Sequence, residues 1–265
     1  MTTATLASAD ELLTDRRVPP LGGFNLTMLG IELRRILRNR RTLIFTLIFP
    51  ATMFLAFGTG TGTAERIGDG NVSAYVMVSM GLYAAALTAA ASGAMVAVER
   101  SLGWSRQLRL TPLNPVAYVS TKAIVALVSG AMAIAMVNLT GAVQGLPQMP
   151  ASTWLACGVV TLVCTLTFAA LGVFIGYLVP SENVMQILGP GLAVLSFLGG
   201  VFIPLEHGSG IWHVAVWTPM YGVAEVARAP LTGELTWYAV ANAVVWFVLF
   251  VAGAAWRMAR DTARV

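Results

Sequence analysis

The side chains able to do chemistry are few in this sequence and poorly placed for catalysis. Lys122 is its single lysine. A phosphate-cradling loop needs a glycine-rich turn followed by Lys and Ser or Thr. The five residues before Lys122 hold no glycine. His207 and His213 stand six apart with neither cysteine near them in sequence, so no metal-ligand pattern forms. Cys157 and Cys164 are seven apart in one apolar run. That spacing puts them on one helix face as small buried thiols, not as a disulfide framework. The chain is expected to bind no cofactor or metal and to be no enzyme.

One stretch does concentrate charge. "ERSLGWSRQLRLTP", residues 99–112, sets Glu99, Arg100, Arg106 and Arg109 around Gly103 and Trp104 and ends in Thr111-Pro112. At 100° per residue Arg106 and Arg109 share one helix face, and Trp104 and Leu108 form a neighbouring stripe. The residue before proline disfavours the α region, so Thr111-Pro112 predicts a helix stop. Such a helix offers a partner an aromatic anchor and basic rim groups. Its other reading is an ordinary basic loop that sets membrane orientation.

The elements that flank this stretch are apolar. Of 265 residues 57% are hydrophobic and 11% charged, with a mean hydropathy of +0.76. A soluble domain carries about 25% charged residues, so the composition predicts an all-α integral membrane protein. A spanning helix needs about 20 mostly apolar residues. Six runs qualify: 42–59, 75–98, 116–143, 154–179, 184–202 and 237–256. Pro50 interrupts the first, and Gly189-Pro190-Gly191 predicts a kink in the fifth.

Basic residues give the orientation. Arg16, Arg17, Arg34, Arg35, Arg38, Arg40 and Arg41 precede the first run. Arg100, Arg106, Arg109 and Lys122 lie between or just inside the second and third, and Arg257, Arg260 and Arg264 follow the sixth. Only Arg66 and Arg228 fall on the other side. This predicts a multi-pass protein of the bacterial inner (plasma) membrane with both termini cytoplasmic. Asp10, Glu11, Asp15, Arg16 and Arg17 break up any signal-peptide core. Residues 1–22 are expected to be a cytoplasmic tail, 23–258 a single membrane domain and 259–265 a second cytoplasmic tail.

Two further segments are amphipathic. Leu26, Leu29, Leu33, Ile36 and Leu37 recur at helical spacing, with Glu32, Arg34, Arg35 and Arg38 on the opposite face. That predicts a basic helix lying on the inner leaflet. Near the other end, "GIWHVAVWTPMYGVAEVARAPL" is apolar but split by Thr218-Pro219 into pieces too short to cross. It predicts a re-entrant or interfacial segment. Trp212, His213, Trp217, Pro219 and Tyr221, with Phe202 and Pro204 just before them, would form an interfacial cover or an outer gate.

The second, fourth, fifth and sixth runs hold no Asp, Glu, Lys, Arg or His, and Lys122 lies near enough to the inner end to snorkel. Ion-coupled carriers place ionisable groups at membrane depth. The chain thus reads as a transporter without an engine of its own. A stand-alone carrier or a membrane scaffold are the alternatives.

From about Phe24 to Trp256 the chain resembles the membrane permease of type-2 ATP-binding-cassette (ABC) exporters. The likeness rests on the amphipathic helix, the six runs with both ends inside, the charged loop 99–112, the "GGVFIPLEH" turn and the split outer segment. Members often carry a Glu-Arg pair, then Gly, then a charged helix ending in Thr-Pro. Glu99, Arg100, Gly103, Thr111 and Pro112 match, while Trp104 and Arg106 depart from the Thr and Glu common there. The resemblance implies that residues 99–112 are the coupling helix, docked on a separate ATPase that carries the ATP and Mg. It implies two permease chains, identical or homologous, two ATPase chains, no nucleic-acid partner, and alternating access. It implies a substrate such as a drug, an antibiotic or a lipid, or else a lipid-linked glycan or polysaccharide. The closest pattern is that of small bacterial drug exporters.

Overall fold

Long uncharged runs leave the backbone one local way to satisfy its polar groups in lipid, the helix. The computed structural model, which describes residues 20–103, 114–205 and 207–262, is accordingly helical apart from one short hairpin. A 3-10 turn, Pro20–Gly23, leads to α1, Leu26–Arg38. The Asn25 side chain caps α1, accepting from Thr27 N at 2.7 Å. Next come α2, Arg40–Phe57, and an antiparallel hairpin of β1, Arg66–Ile67, and β2, Gly70–Asn71. The long helices α3, Val72–Ser101, α4, Pro115–Gln144, and α5, Ala151–Leu178, follow, and then α6, Val184–Leu198. Two short helices, α7, Gly210–Ala215, and α8, Pro219–Thr232, precede α9, Trp237–Thr262.

Among the described residues α3, α4, α5 and α9 are long and apolar enough to cross a membrane. The apolar part of α2, Leu47–Phe57, and α6 are shorter. The 15 residues of α6 rise about 22 Å, against a hydrocarbon core of about 30 Å. Each of the six predicted runs folds as a helix, but four, not six, meet the full length. The fifth run also stops at Leu198 instead of Phe202. Gly200 takes a left-handed φ of 72°, and Val201 N turns back to Ser196 O at 2.9 Å, closing the helix end.

α3 is the helix around which the others pack, buried along nearly its whole length. Its alanines and Gly93 make that possible, since small side chains let backbones approach without a hydrophobic driving force between helices. A methyl group added at Gly172 of α5 would stand 2.0 Å from Ala90 O, and one at Gly93 would stand 2.4 Å from Ala169 O. α9 is the opposite case, with Val244, Val245, Val248 and Leu249 turned outward.

The bundle has two distinct ends. At one, the 3-10 turn, the second half of α1 and the start of α4 meet the last turns of α3, α5 and α9. Asn114 N donates to Gly22 O at 2.8 Å, and Arg257 approaches Tyr177 O at 3.4 Å. At the other, a single amide joins two loops. Asn71 Nδ2 donates to Leu146 O at 2.8 Å while its Oδ1 accepts from Ala74 N at 2.9 Å and Gln148 N at 3.0 Å. The described arginines divide as predicted: Arg34, Arg35, Arg38, Arg40, Arg100, Arg257 and Arg260 belong to elements of the first end, and Arg66 and Arg228 to the second.

The segment split by Thr218-Pro219 folds back against α9. Asn242 Nδ2 donates to Val216 O at 2.7 Å, and Trp246 Nε1 to Trp217 O at 3.2 Å. Those two residues lie five and nine positions into α9, about 8 to 14 Å below its start. α8 then returns to the hairpin, where Asp69 N donates to Leu231 O at 2.9 Å. The chain enters and leaves by the same end.

Candidate functional site

The basic end holds a cluster of ionisable groups drawn from three helices. α1 contributes Glu32 and Arg35, one turn apart. α3 contributes Glu99 near its C-terminus. α4 contributes Tyr118 and Lys122, whose four-residue spacing puts them on one face. Glu99 is the hub. One carboxylate oxygen accepts from Lys122 Nζ and from Arg35 NH1 at 3.2 Å, and the other accepts from Tyr118 OH at 2.6 Å. Lys122 also donates to Glu32 at 3.1 Å, and Arg35 stands 3.8 Å from Glu32. Two acids and two bases sum to no net charge. Burying them is tolerable only because each is paired.

This arrangement corrects the reading of Lys122 as a snorkelling residue. Its side chain is 3% exposed, because two carboxylates stand within reach and hold the ammonium inside. Glu99, assigned to a partner surface by sequence, has its carboxylate turned into the bundle and is 4% exposed. Arg100 turns toward the C-terminus of α5, at 3.3 Å from Tyr177 O and 3.4 Å from Gly176 O, where helix carbonyls carry partial negative charge. Gly103, with φ 70°, ends the α3 region. Trp104, Arg106, Leu108, Arg109, Thr111 and Pro112 lie outside the described residues. In α1, Leu29, Leu33 and Ile36 are half-buried, Arg34 and Arg38 are exposed, and Leu26 and Leu37 face away from the protein.

The residues assigned to an outer gate do not all converge. Phe202 packs against Tyr83 and Phe197, with ring centres 5.0 and 4.7 Å away. Trp212 donates to Tyr221 OH at 3.3 Å and touches His213 and Tyr238. Pro219 and Tyr221 are buried at the start of α8. Pro204 and the ring of Trp217 are exposed and apart from that group. The ionic centre of this end is Arg228, which sequence reading had counted only for topology. Its NH1 donates to Tyr75 OH and to Gly200 O at 2.9 Å, and its NH2 meets Glu225 at 2.8 Å. The guanidinium carbon also lies 4.6 Å from the centre of the Tyr75 ring. Glu225 and Arg228, three apart in an otherwise apolar helix, were the available signal, since charges at membrane depth need partners.

Through Glu99 the residues just before the segment 104–113 are tied to α1 and α4. The sequence profile described as "ABC-2 type transporter" matches residues 25–230. The chain belongs to that family. A protein of Bacillus subtilis (strain 168) named "Putative transport permease YvfS" is 27% identical over 227 residues, spanning 83% of this chain and 91% of its own. The ABC-2 permease is thus a multi-pass membrane transport subunit, and its family implies an ABC ATPase as partner. Within it, Glu99 and Lys122 join the amphipathic helix to the bundle's central helix.

Proposed function

We propose that this ABC-2 permease is the membrane half of an ATP-driven exporter of lipophilic compounds. Two permease chains pair with two ATPase chains that bind ATP and Mg. The basic end faces the cytoplasm of a bacterial inner membrane. The segment after Gly103 meets the ATPase, with Trp104 and Leu108 as its apolar anchor and Arg106 and Arg109 on its rim.

One observation supports this most. The segment 104–113 leaves the chain at the end of α3, the helix that packs against most of the others. Glu99, five residues before Trp104, is bonded to α1 and α4. A push on the segment is therefore delivered to three helices at once. ATP binding draws the ATPases together, this joint carries the movement inward, and the access side alternates.

Copurification with a candidate ATPase tests the reading. A stoichiometric complex is expected, with ATP turnover stimulated by lipophilic compounds, while the permease alone binds no nucleotide at micromolar concentration. Trp104→Ala should weaken the complex by about 2 kcal/mol and leave membrane insertion intact. Normal assembly and wild-type transport by that variant would remove Trp104 from the coupling role.

A further inference from the structure

Beneath α1 lies a cavity of about 100 Å³, bounded by α1, α2, α3, α4 and α6. Arg35 and Glu32 stand at its charged end. Ser92 and Ser129 lie seven residues further along their helices than Glu99 and Lys122, about 10 Å deeper. Met95, Met132 and Met185 line it from three different helices. Thioethers adapt to irregular guests and make favourable contacts with aromatic rings. An apolar cavity of about 150 Å³ accepts benzene, so this smaller one suits a body no larger than a single ring.

The charged end is neutral in sum, but it has a shape. Both ion pairs of Arg35 use NH1, and among the described residues Nε and NH2 make no hydrogen bond. That leaves one edge of the planar fork, the edge that grips a carboxylate with two parallel bonds. Glu32 and Glu99 are both paired with Lys122 and Arg35, so the cluster is neutral in sum and an incoming anion meets no net negative charge there. Arg34 and Arg38 of the same helix and Arg40 next to it are exposed, adding positive charge where an anion would approach.

We infer that this cavity binds a lipophilic organic acid, with its carboxylate on the Arg35 fork and its ring among Met95, Met132 and Met185. The ligand enters from the leaflet on which α1 lies. That it is then exported rests on the function proposed above; its binding does not.

The test uses the full permease without ATPase, in nanodiscs of phosphatidylcholine. Saturable binding of benzoate is compared with that of the neutral benzyl alcohol and the cationic benzylamine. Benzoate should bind about tenfold tighter than either, the gain from one charge-assisted bidentate contact. Met132→Trp fills the cavity and should abolish binding. Met185→Trp, on another helix, repeats the test should the first variant fail to fold. Arg35→Lys keeps the charge but loses the fork, and should erase most of the preference for the acid while leaving the alcohol unchanged. Equal binding of the three probes, no saturable binding, or full binding by a folded Trp variant would overturn the inference. Because no ATPase is present, those results leave the exporter reading untouched, and failure to recruit an ATPase leaves this site untouched.

Discussion

The permease buries charge at both ends, and it does so in two different ways. At the basic end Glu99 is held by Lys122, Arg35 and Tyr118, and neither Glu99 nor Lys122 has access to water. At the other end Arg228 is also buried, but its carboxylate partner Glu225 is one turn away on the same helix and 32% exposed. Its remaining bonds go to neutral groups, Tyr75 OH and the carbonyls of Gly200 and Ala224. The first cluster locks separate helices by charge pairing. The second anchors one short helix by hydrogen bonds to its neighbours. The first should fail abruptly when a charge is removed, and the second by degrees.

Glu99→Leu is the sharpest way to break that contrast. It strands Lys122 beside a single remaining acid, and breaking a buried pair in this way costs about 3–5 kcal/mol. Thermal unfolding in detergent should show the loss, and adding Lys122→Met should restore most of it. A Glu99→Leu variant as stable as the parent would mean the pairs contribute nothing.

Arg228→Met should cost less, about 1–3 kcal/mol, since Glu225 can turn to water while Gly200 O and Tyr75 OH lose a donor. The same unfolding measurement decides it. A loss larger than that of Glu99→Leu would reverse the ranking of the two ends. Arg228→Lys refines the point, because a point charge cannot serve Ala224 O, Gly200 O and Glu225 together. It should fall between Arg228→Met and the parent in the same assay. Trp217→Ala gives the smallest effect, within about 0.5 kcal/mol. Its ring is 79% exposed and the bond from Trp246 goes to its backbone oxygen.

Much of this was legible in the sequence, for physical reasons. The runs that became α3, α4, α5 and α9 are long and nearly free of charge, and little besides a buried or lipid-facing helix suits them. The stripe of Leu29, Leu33 and Ile36 against Arg34 and Arg38 marked α1 directly. What escaped was pairing across distance. Glu99 and Arg100 look like two surface charges on a loop, because a sequence does not say that α3 is surrounded on all sides. Glu32 and Lys122 are 90 residues apart, yet their 3.1 Å contact decides that the lysine stays inside. The end of α6 was misread for a local reason. Phe202 is as apolar as the helix before it, and only the left-handed Gly200 shows where the helix must stop.

Asn71 gives the opposite end a chemical clock. Its amide is both donor and acceptor, and the two loops it joins use both roles. Aspartate has the same shape but offers only oxygens when ionised. Asparagine is among the residues that heat degrades. Hydrolysis of this one amide would set a carboxylate oxygen against Leu146 O, turning a 2.8 Å attraction into a repulsion and parting the loop before α5 from the hairpin before α3. Ageing of the purified protein would then begin at the hairpin rim, by a mass increase of about one dalton, while the charged cluster at the far end stays whole.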